Sequence, residues 1–260
     1  LLSWLYYHMG QENQGDEMLK SACSGSFDYF FPSRLAELKM LEWLDANKPC
    51  NTMLQYGLGN FYYNAKRHQE AIDIWQIASE NGCKYATLYR NLGIAYWNAH
   101  QNGNKARSCF KEAVALSPQD MRIQFEYDQL RKKLNDDPKE RLEDVLALGE
   151  GVLTRDDFSV ELAALYNLVG QSDKALNLLT NRNFHPWEGG EGQVLKQYSY
   201  ACLSLGQSSL EKNDSAAALD YFNRSLDTPD NLGEKYHPLQ AVAHINYWKG
   251  VAYRSLGEED

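Results

Sequence analysis

Small and aromatic residues recur along the chain at spacings that fit paired helices. In one stretch they are Tyr89, Leu92, Gly93, Tyr96, Ala106, Phe110 and Ala113, and in the stretch before it Leu58, Gly59, Tyr62, Ala71, Trp75 and Ala78. Gly59 and Gly93 are 34 residues apart. Because residues three or four apart share one face of a helix, each stretch predicts two helices that pack through small residues and rings.

Weaker copies of this pattern lie further along the chain. Gly59 and Ala71 are 12 residues apart, and the same interval returns between Ala163 and Ala175 and between Gly206 and Ala218. Gly250 and Tyr253 mark one more helix of this kind. The repeated interval predicts a chain of similar helix pairs.

The whole chain is therefore expected to be helical, with no sheet. The expected helices, about fourteen in number, span 1–9, 16–24, 33–47, 51–64, 68–81, 85–100, 103–116, 119–134, 138–153, 157–169, 172–181, 190–212, 214–226 and 236–256. The 7 prolines support this interpretation, since each stands beside turn-like residues and proline breaks helix interiors. Stacked helix pairs bury a common core, so we expect one continuous solenoid over 1–260.

The repeat resembles the tetratricopeptide repeat (TPR), a helix–turn–helix unit of 34 residues. The resemblance implies an all-α, right-handed α-solenoid of antiparallel helix pairs. Along the chain it predicts degenerate repeats over 1–50, two clear repeats over 51–118, degenerate repeats over 119–183, a separate loop over 184–194 and C-terminal repeats over 195–260.

Four further segments, 28–35, 90–96, 184–192 and 231–234, resemble the C-terminal repeat region of a large bacterial family. In that family an uncharacterised β-rich domain, similar to sugar-mutarotase-like sandwiches, precedes the repeats. The resemblance implies an architecture and no established activity. Together with a first residue other than Met, it leads us to expect a fragment of a larger bacterial protein.

Composition excludes several classes of protein. The 260 residues are 43% hydrophobic and 12% aromatic, with a net charge of −9. An acidic chain is a poor partner for nucleic acid, and no apolar run is long enough for membrane insertion. The five cysteines are scattered, which predicts reduced core thiols and slightly favours the cytoplasm, although a periplasmic location stays open.

The concave face of such a solenoid predicts a partner groove lined by Tyr56, Asn60, Tyr63, Asn64, Arg90, Asn91, Trp97 and Asn98. Asn amides can bond an extended peptide backbone, and Arg can bind a carboxylate. Peptide-binding TPR proteins hold a C-terminal carboxylate with Lys, Asn and Arg. Asn60 and Asn91 match two such positions, while Tyr56 stands where Lys is expected and Arg122 is the candidate third member.

The loop over 184–194 has unusual chemistry, with His185, Trp187, Glu188 and Glu191 among three glycines. Its simplest interpretation is a rigid loop that starts a long helix. Alternatively it contacts another domain or a ligand. His185 and the two carboxylates, with His237 or His244, could also bind a metal or act on a sugar, but their spacing matches no dedicated site.

Residues 135–161 hold three positive and nine negative side chains, a net charge of −6. Charged helix positions usually face water, so we expect a solvated face, with a surface for a basic partner as the alternative. Motifs for a P-loop, a nucleophile elbow, a zinc protease and dinucleotide binding are missing.

The sequence therefore predicts a non-catalytic module with no cofactor or metal, which binds a protein or peptide or the upstream domain of its own chain. The alternative is an accessory part of a carbohydrate-active enzyme whose site lies mainly upstream. A third possibility is self-association through Leu1, Leu2, Trp4 and Leu5. The oligomeric state is left open.

Overall fold

The computed structural model describes residues 1–48, 51–185, 187–237 and 239–257. The chain divides into two compact units, Leu1–Leu134 and Asn135–Asp260. The described residues form α-helices and short 3-10 turns with no β-strand. The all-α fold expected from the sequence is thus confirmed, and the single continuous solenoid stays a prediction.

Unit 1 contains eight helices in its described residues. They are α1 (Leu2–His8), α2 (Glu12–Cys23), α3 (Leu35–Asn47), α4 (Thr52–Asn64), α5 (His68–Glu80), α6 (Ala86–His100), α7 (Gly103–Leu116) and α8 (Met121–Lys133). The main packing partners are α1 with α2, α4 with α5, and α6 with α7. Unit 1 is therefore built from helix pairs that follow one another in the chain.

Unit 2 contains six helices in its described residues. They are α9 (Pro138–Ala147), α10 (Asp156–Leu168), α11 (Ser172–Thr180), α12 (Gln193–Glu211), α13 (Ser215–Arg224) and α14 (Ala243–Leu256). Here α10 packs with α11, α12 with α13, and α13 with α14. A 3-10 helix, Gly149–Thr154, follows α9.

Several helices begin at a polar residue whose side chain accepts hydrogen bonds from the first free backbone N–H groups. The residues are Asn51 for α4, Asn102 for α7, Asp120 for α8, Asp137 for α9 and Asp214 for α13. Such caps replace bonds that the first turn of a helix cannot make within itself. These capped helices therefore begin close to the starts that the sequence predicts.

The two helices of a pair meet where a glycine of the first faces an aromatic ring of the second. A Cβ atom on Gly59 would overlap the ring of Trp75. The same holds for Gly93 with the ring of Phe110. In unit 2 the ring of Phe222 lies against Gly206 in the same way. The 12-residue interval between glycine and alanine thus identifies Gly59 and Gly206 as glycines that pack in the same way, although Gly206 belongs to a weak repeat.

Three predicted helices differ from the structure by four residues or more at one end. We expected a helix over 16–24, but α2 spans Glu12–Cys23. We expected one helix over 138–153, but α9 ends at Ala147 and Gly149 adopts a positive φ of 64°, a conformation that glycine reaches without steric cost. We expected the last helix to start at 236, but α14 begins at Ala243. The hydroxyl of Tyr236 donates to Ser199 Oγ at 2.7 Å, which ties this residue to α12 instead.

The described cysteines are the free thiols expected from the sequence: Cys23, Cys83, Cys109 and Cys202. Burial raises the pKa of Cys109 and of Cys202 to about 11, so both thiols stay protonated at neutral pH. The expectation for Cys50 lies outside the described residues. No helix in the described part of the chain combines the length and apolar composition needed to cross a bilayer.

The acidic stretch 135–161 is only partly the solvated face that we expected. Glu140, Glu143 and Glu150 are exposed. Glu161 is buried and accepts a hydrogen bond of 2.8 Å from Arg141, which is also buried. A charge out of water needs such a partner because its hydration is lost. The pair is neutral and leaves the net charge unchanged, but the count of nine negative side chains overstates the free acidic surface.

We predict that Gly206→Ala lowers the free energy of unfolding by about 1–3 kcal/mol, since the new methyl group must displace the ring of Phe222. Gly250→Ala is the matched control in the same unit. Apart from its chain neighbours and the backbone of its own helix, no atom of the described chain lies within 4 Å of a Cβ at Gly250, so this change should stabilise the helix by about 0.5–1 kcal/mol. Urea denaturation measures both, and equal effects of the two substitutions would contradict the packing role.

Candidate functional site

Unit 1 has a cavity of about 220 Å³ at one end of the α4–α5 pair and beside α6. We call it the groove cavity. Its lining residues are Phe31, Asn60, Tyr63, Asn64, Trp75, Arg90, Asn91 and Ile94. The structure thus brings together, around one cavity, five residues of the predicted groove: Asn60, Tyr63, Asn64, Arg90 and Asn91.

Tyr56, also predicted for the groove, does not face an open surface. Its side chain is 1% exposed. The ring of Phe27 packs edge-on at 5.7 Å between centroids, and the ring of Tyr85 packs at 5.2 Å. Burial raises the pKa of Tyr56. The prediction of an exposed Tyr56 is wrong because a segment far away in the sequence covers it.

Trp97 and Asn98 lie outside the groove cavity. The ammonium of Lys133 stands 5.9 Å from the ring centre of Trp97, which is half-buried. Asn98 is exposed, and its amide donates to the hydroxyl of Tyr63 at 3.2 Å. Asn98 therefore borders the site through Tyr63, whereas the ring of Trp97 contacts Lys133, which does not line the cavity.

The amides predicted to grip a peptide backbone form a connected row. Asn60 Nδ2 donates to the carbonyl oxygen of Phe30 at 3.1 Å. Asn91 Nδ2 donates to Asn60 Oδ1 at 3.2 Å, and Arg90 Nη1 donates to Asn91 Oδ1 at 3.1 Å. Each side chain in this row fixes the orientation of the next. The first one already holds a backbone carbonyl of the chain itself.

Arg90 also has a carboxylate partner within the chain. Its guanidinium makes a two-pronged ion pair with Glu126 of α8. Arg122 Nε donates to the same carboxylate at 3.1 Å. Two-pronged Arg–carboxylate pairs are strong and directional. Both arginines considered for a carboxylate clamp are thus bound to Glu126, which argues against a free clamp.

The segment that covers Tyr56 is residues 26–33, which we call the aromatic segment. The ring of Phe27 stacks on Tyr85 at 5.0 Å. The ring of Phe30 lies against the backbone of Gly57, where a Cβ atom would overlap it. Pro32 is buried, whereas Tyr29 is 93% exposed and Phe31 is 65% exposed. The segment therefore lies across α4 and the start of α6, with two rings inward and two outward.

One hydrogen bond joins the aromatic segment to the start of α6. The hydroxyl of Tyr85 donates to Asp28 Oδ1 at 2.7 Å. This bond, with a second from Ser26, lowers the pKa of Asp28. Burial is the main cause that raises the pKa of Tyr85 to about 12. The donor stays protonated and the acceptor stays ionised at neutral pH, so the bond persists there.

Sequence reasoning missed the aromatic segment as part of the site. It treated 1–50 as degenerate repeats and placed no residue of 26–33 in the groove. Gly57 was an available signal, because a second glycine in one short helix suggests close approach on a second face. Segment 28–35, one of those that carry the bacterial resemblance, meets segment 90–96 around this cavity.

Unit 2 contains the glycine-rich loop (residues 184–194), which is held by hydrogen bonds at both ends. Asn231 Nδ2 donates to the carbonyl oxygens of Leu179 and Arg182, just before the loop, at 2.8 and 2.7 Å. Glu234 accepts from the backbone N–H of Gly192 at 2.7 Å. A carboxylate at the start of α12 also suits the helix dipole. Segments 184–192 and 231–234 of the resemblance are thus neighbours.

The four predicted loop residues do not converge on one point. Trp187 is half-buried, and its ring lies where a Cβ on Gly190 would be. The backbone N–H of His185 donates to Asp156 at 3.0 Å, while the His185 side chain is 84% exposed. Glu188 and Glu191 are exposed. Pro186 lies outside the described residues.

Neither the loop nor any other described part of the chain gathers three or more His, Cys, Asp or Glu side chains that could hold a metal ion. Glu191 lines a cavity of about 640 Å³ that also includes His244, Tyr200 and Trp248. Glu188 and Glu191 are exposed and have no hydrogen-bond or ion-pair partner among the described residues. The hydrogen bonds that Asn231 donates and Glu234 accepts support the interpretation of this segment as a rigid loop that starts a long helix.

We predict that Asn231→Ala lowers the free energy of unfolding by about 1–3 kcal/mol, because two carbonyl oxygens lose their donor. Asn223→Ala is the matched control, since Asn223 is exposed on α13. Urea denaturation followed by tryptophan fluorescence measures the difference. Equal midpoints for the two variants would show that Asn231 does not hold the loop.

No protein-family model matches the chain. Among solved structures, the chain is similar to YrrB, described as a TPR protein with an unusual peptide-binding site. The identity is 16%, the match covers 72% of this chain and 91% of that chain, and the TM-score is 0.53.

It is also similar to a chain of the Naa15/Naa10 complex bound to HypK-THB. The identity is 20%, the match covers 85% of this chain and 32% of that chain, and the TM-score is 0.54. The chain therefore spans about a third of the length of that second structure. At these identities the likeness concerns the fold, and the fold is that of TPR proteins.

Proposed function

We propose that the chain is a non-catalytic protein-interaction or scaffold module and that its groove cavity receives a side chain of an extended partner peptide. The observation that carries the proposal is the composition of the cavity wall. Amides of Asn60, Asn64 and Asn91 border an apolar floor that includes Trp75 and Ile94. Amides suit a peptide backbone, and an apolar floor suits one anchoring side chain.

The size of the cavity supports a peptide over a small metabolite. Its volume of about 220 Å³ lies below the range of roughly 300–1,000 Å³ that encloses small-molecule ligands. A space of this size admits one side chain while the rest of the ligand lies along the surface. YrrB, which has a similar fold, is described as having a peptide-binding site.

Two kinds of occupant fit this proposal. One is a separate partner protein. The other is the upstream domain of the same chain, which the bacterial resemblance implies. In both cases an extended stretch of backbone would approach α4 and α6, and its carbonyl would take the place of the Phe30 carbonyl at the amide of Asn60.

We predict that Ile94→Trp weakens peptide binding at least tenfold, because the larger ring fills the groove cavity. Peptides selected from a random displayed library against the wild-type chain serve as the probe, and fluorescence polarisation measures their affinity. A tenfold loss corresponds to about 1.4 kcal/mol.

Ile77→Trp is the matched control, since Ile77 is exposed on α5 and does not line the cavity. It should leave the affinity unchanged, and thermal unfolding should show both variants folded. If the library yields no binder, or if both variants weaken binding equally, the cavity is not a peptide site.

A further inference from the structure

The aromatic segment contacts α4 and the start of α6 in the manner of an extended peptide ligand. One backbone carbonyl, that of Phe30, accepts from the amide of Asn60 at 3.1 Å. One carboxylate, that of Asp28, accepts from Tyr85. The rings of Phe27 and Phe30 pack against two separate surfaces of the helices, which we call the ring seats. These are the backbone, charge and side-chain contacts through which extended peptides are generally recognised.

The two ring seats are built by the helices and not by the segment. Tyr56 of α4 and Tyr85 at the start of α6 provide the surfaces for Phe27. Gly57 provides the second seat, since its missing side chain leaves room for the ring of Phe30. A different chain with the same two rings would meet the same surfaces.

The aromatic segment is only partly buried, although it makes several contacts. Phe27 and Phe30 are only half-buried, and Tyr29 and Phe31 are exposed. Tyr29 has a φ of 60°, which a residue with a side chain adopts at a cost. Partly exposed segments open locally at a lower free energy than the core helices of a protein. The covalent link keeps the segment near its seats at high effective concentration, so its hold need not be tight.

We propose that the two seats on α4 and α6 recognise a partner peptide of the form Phe-acidic-x-Phe, and that the aromatic segment is a resident copy of this ligand that the partner must displace. This inference rests on the proposed peptide-binding function and names the chemistry of the ligand. The first ring would pack on Tyr56 and Tyr85, the acid would accept from Tyr85, and the second ring would lie on Gly57.

The test uses a synthetic peptide with the sequence of residues 26–34, Ser-Phe-Asp-Tyr-Phe-Phe-Pro-Ser-Arg, with blocked termini. The double variant Phe27→Ser/Phe30→Ser empties both seats of their resident rings. We expect this variant to bind the peptide at least tenfold more tightly than the wild-type chain. A peptide in which both corresponding Phe residues are Ser should not bind.

Blocking a seat provides the decisive control. Gly57→Ala, added to the double variant, puts a methyl group where the second ring must lie, so peptide binding should fall at least tenfold. Gly25→Ala is the matched substitution, because a Cβ at Gly25 meets only ordinary contact, and it should leave the binding unchanged. If Gly57→Ala leaves peptide binding unchanged, the second ring does not lie on Gly57 and the assignment of this seat is wrong.

Failure of this inference differs from failure of the proposed function. If the folded double variant does not bind the peptide while library peptides still bind and depend on Ile94, the resident-copy inference is wrong and the groove function stands. If the peptide binds but library peptides ignore Ile94→Trp, the cavity proposal is wrong and the two seats stand.

Should the double variant fail to fold, the wild-type chain answers the question. Saturating unlabelled peptide added to the ¹⁵N-labelled chain must then shift the amide resonances of residues 26–33 towards disordered values. Unchanged resonances under saturating peptide would overturn the inference.

Discussion

The close approach of a glycine in one helix to an aromatic ring in the next is the interaction on which the helix pairs depend. It occurs at Gly59 with Trp75, at Gly93 with Phe110 and at Gly206 with Phe222. A side chain at any of these glycines would push the two helices apart, because protein interiors are densely packed and absorb added volume poorly. Because three helix pairs share this contact, the two helices approach each other closely in each of them.

The candidate site follows from this packing. Asn60 on α4 and Asn91 on α6 reach each other at 3.2 Å although they are 31 residues apart. Trp75 fills the space at Gly59 and also forms part of the floor of the groove cavity. The residue that closes one helix pair therefore helps to shape the site beside it.

Helix α4 uses a second glycine for a different purpose. Gly57 and Gly59 are two positions apart, so they lie on nearly opposite faces of the helix. One face admits Trp75 from α5, and the other admits Phe30 from the aromatic segment. Helix α4 thus packs against α5 on one face and holds the aromatic segment on the other.

Much of the fold could be predicted because its periodicity is local. The 34-residue spacing located α4 to α7 closely, and the 12-residue interval found the contact between Gly206 and Phe222. Where a helix depends on a distant residue, local pattern was not enough. The start of α14 was predicted too early because the bond from Tyr236 to Ser199 is invisible in local spacing.

The candidate site was predicted in part for the same reason. Asn60, Asn64 and Asn91 follow from the helical repeat, and they line the cavity. The burial of Tyr56 does not follow from it, since the covering ring of Phe27 comes from outside the clear repeats. The carboxylate of Glu126 on Arg90 likewise depends on how α8 is placed beside α6. The repeat spacing therefore does not predict contacts between the repeats and the segments outside them.

The most direct test of this account is a nuclear Overhauser spectrum of the wild-type chain. The account predicts cross-peaks between the Hα protons of Gly57 and the ring protons of Phe30, with the Hα resonances shifted upfield by the ring. Cross-peaks between Gly59 and the indole of Trp75 serve as the internal reference. If the Gly59 peaks are present and the Gly57 Hα resonances show neither cross-peak nor shift, the aromatic segment does not lie on α4.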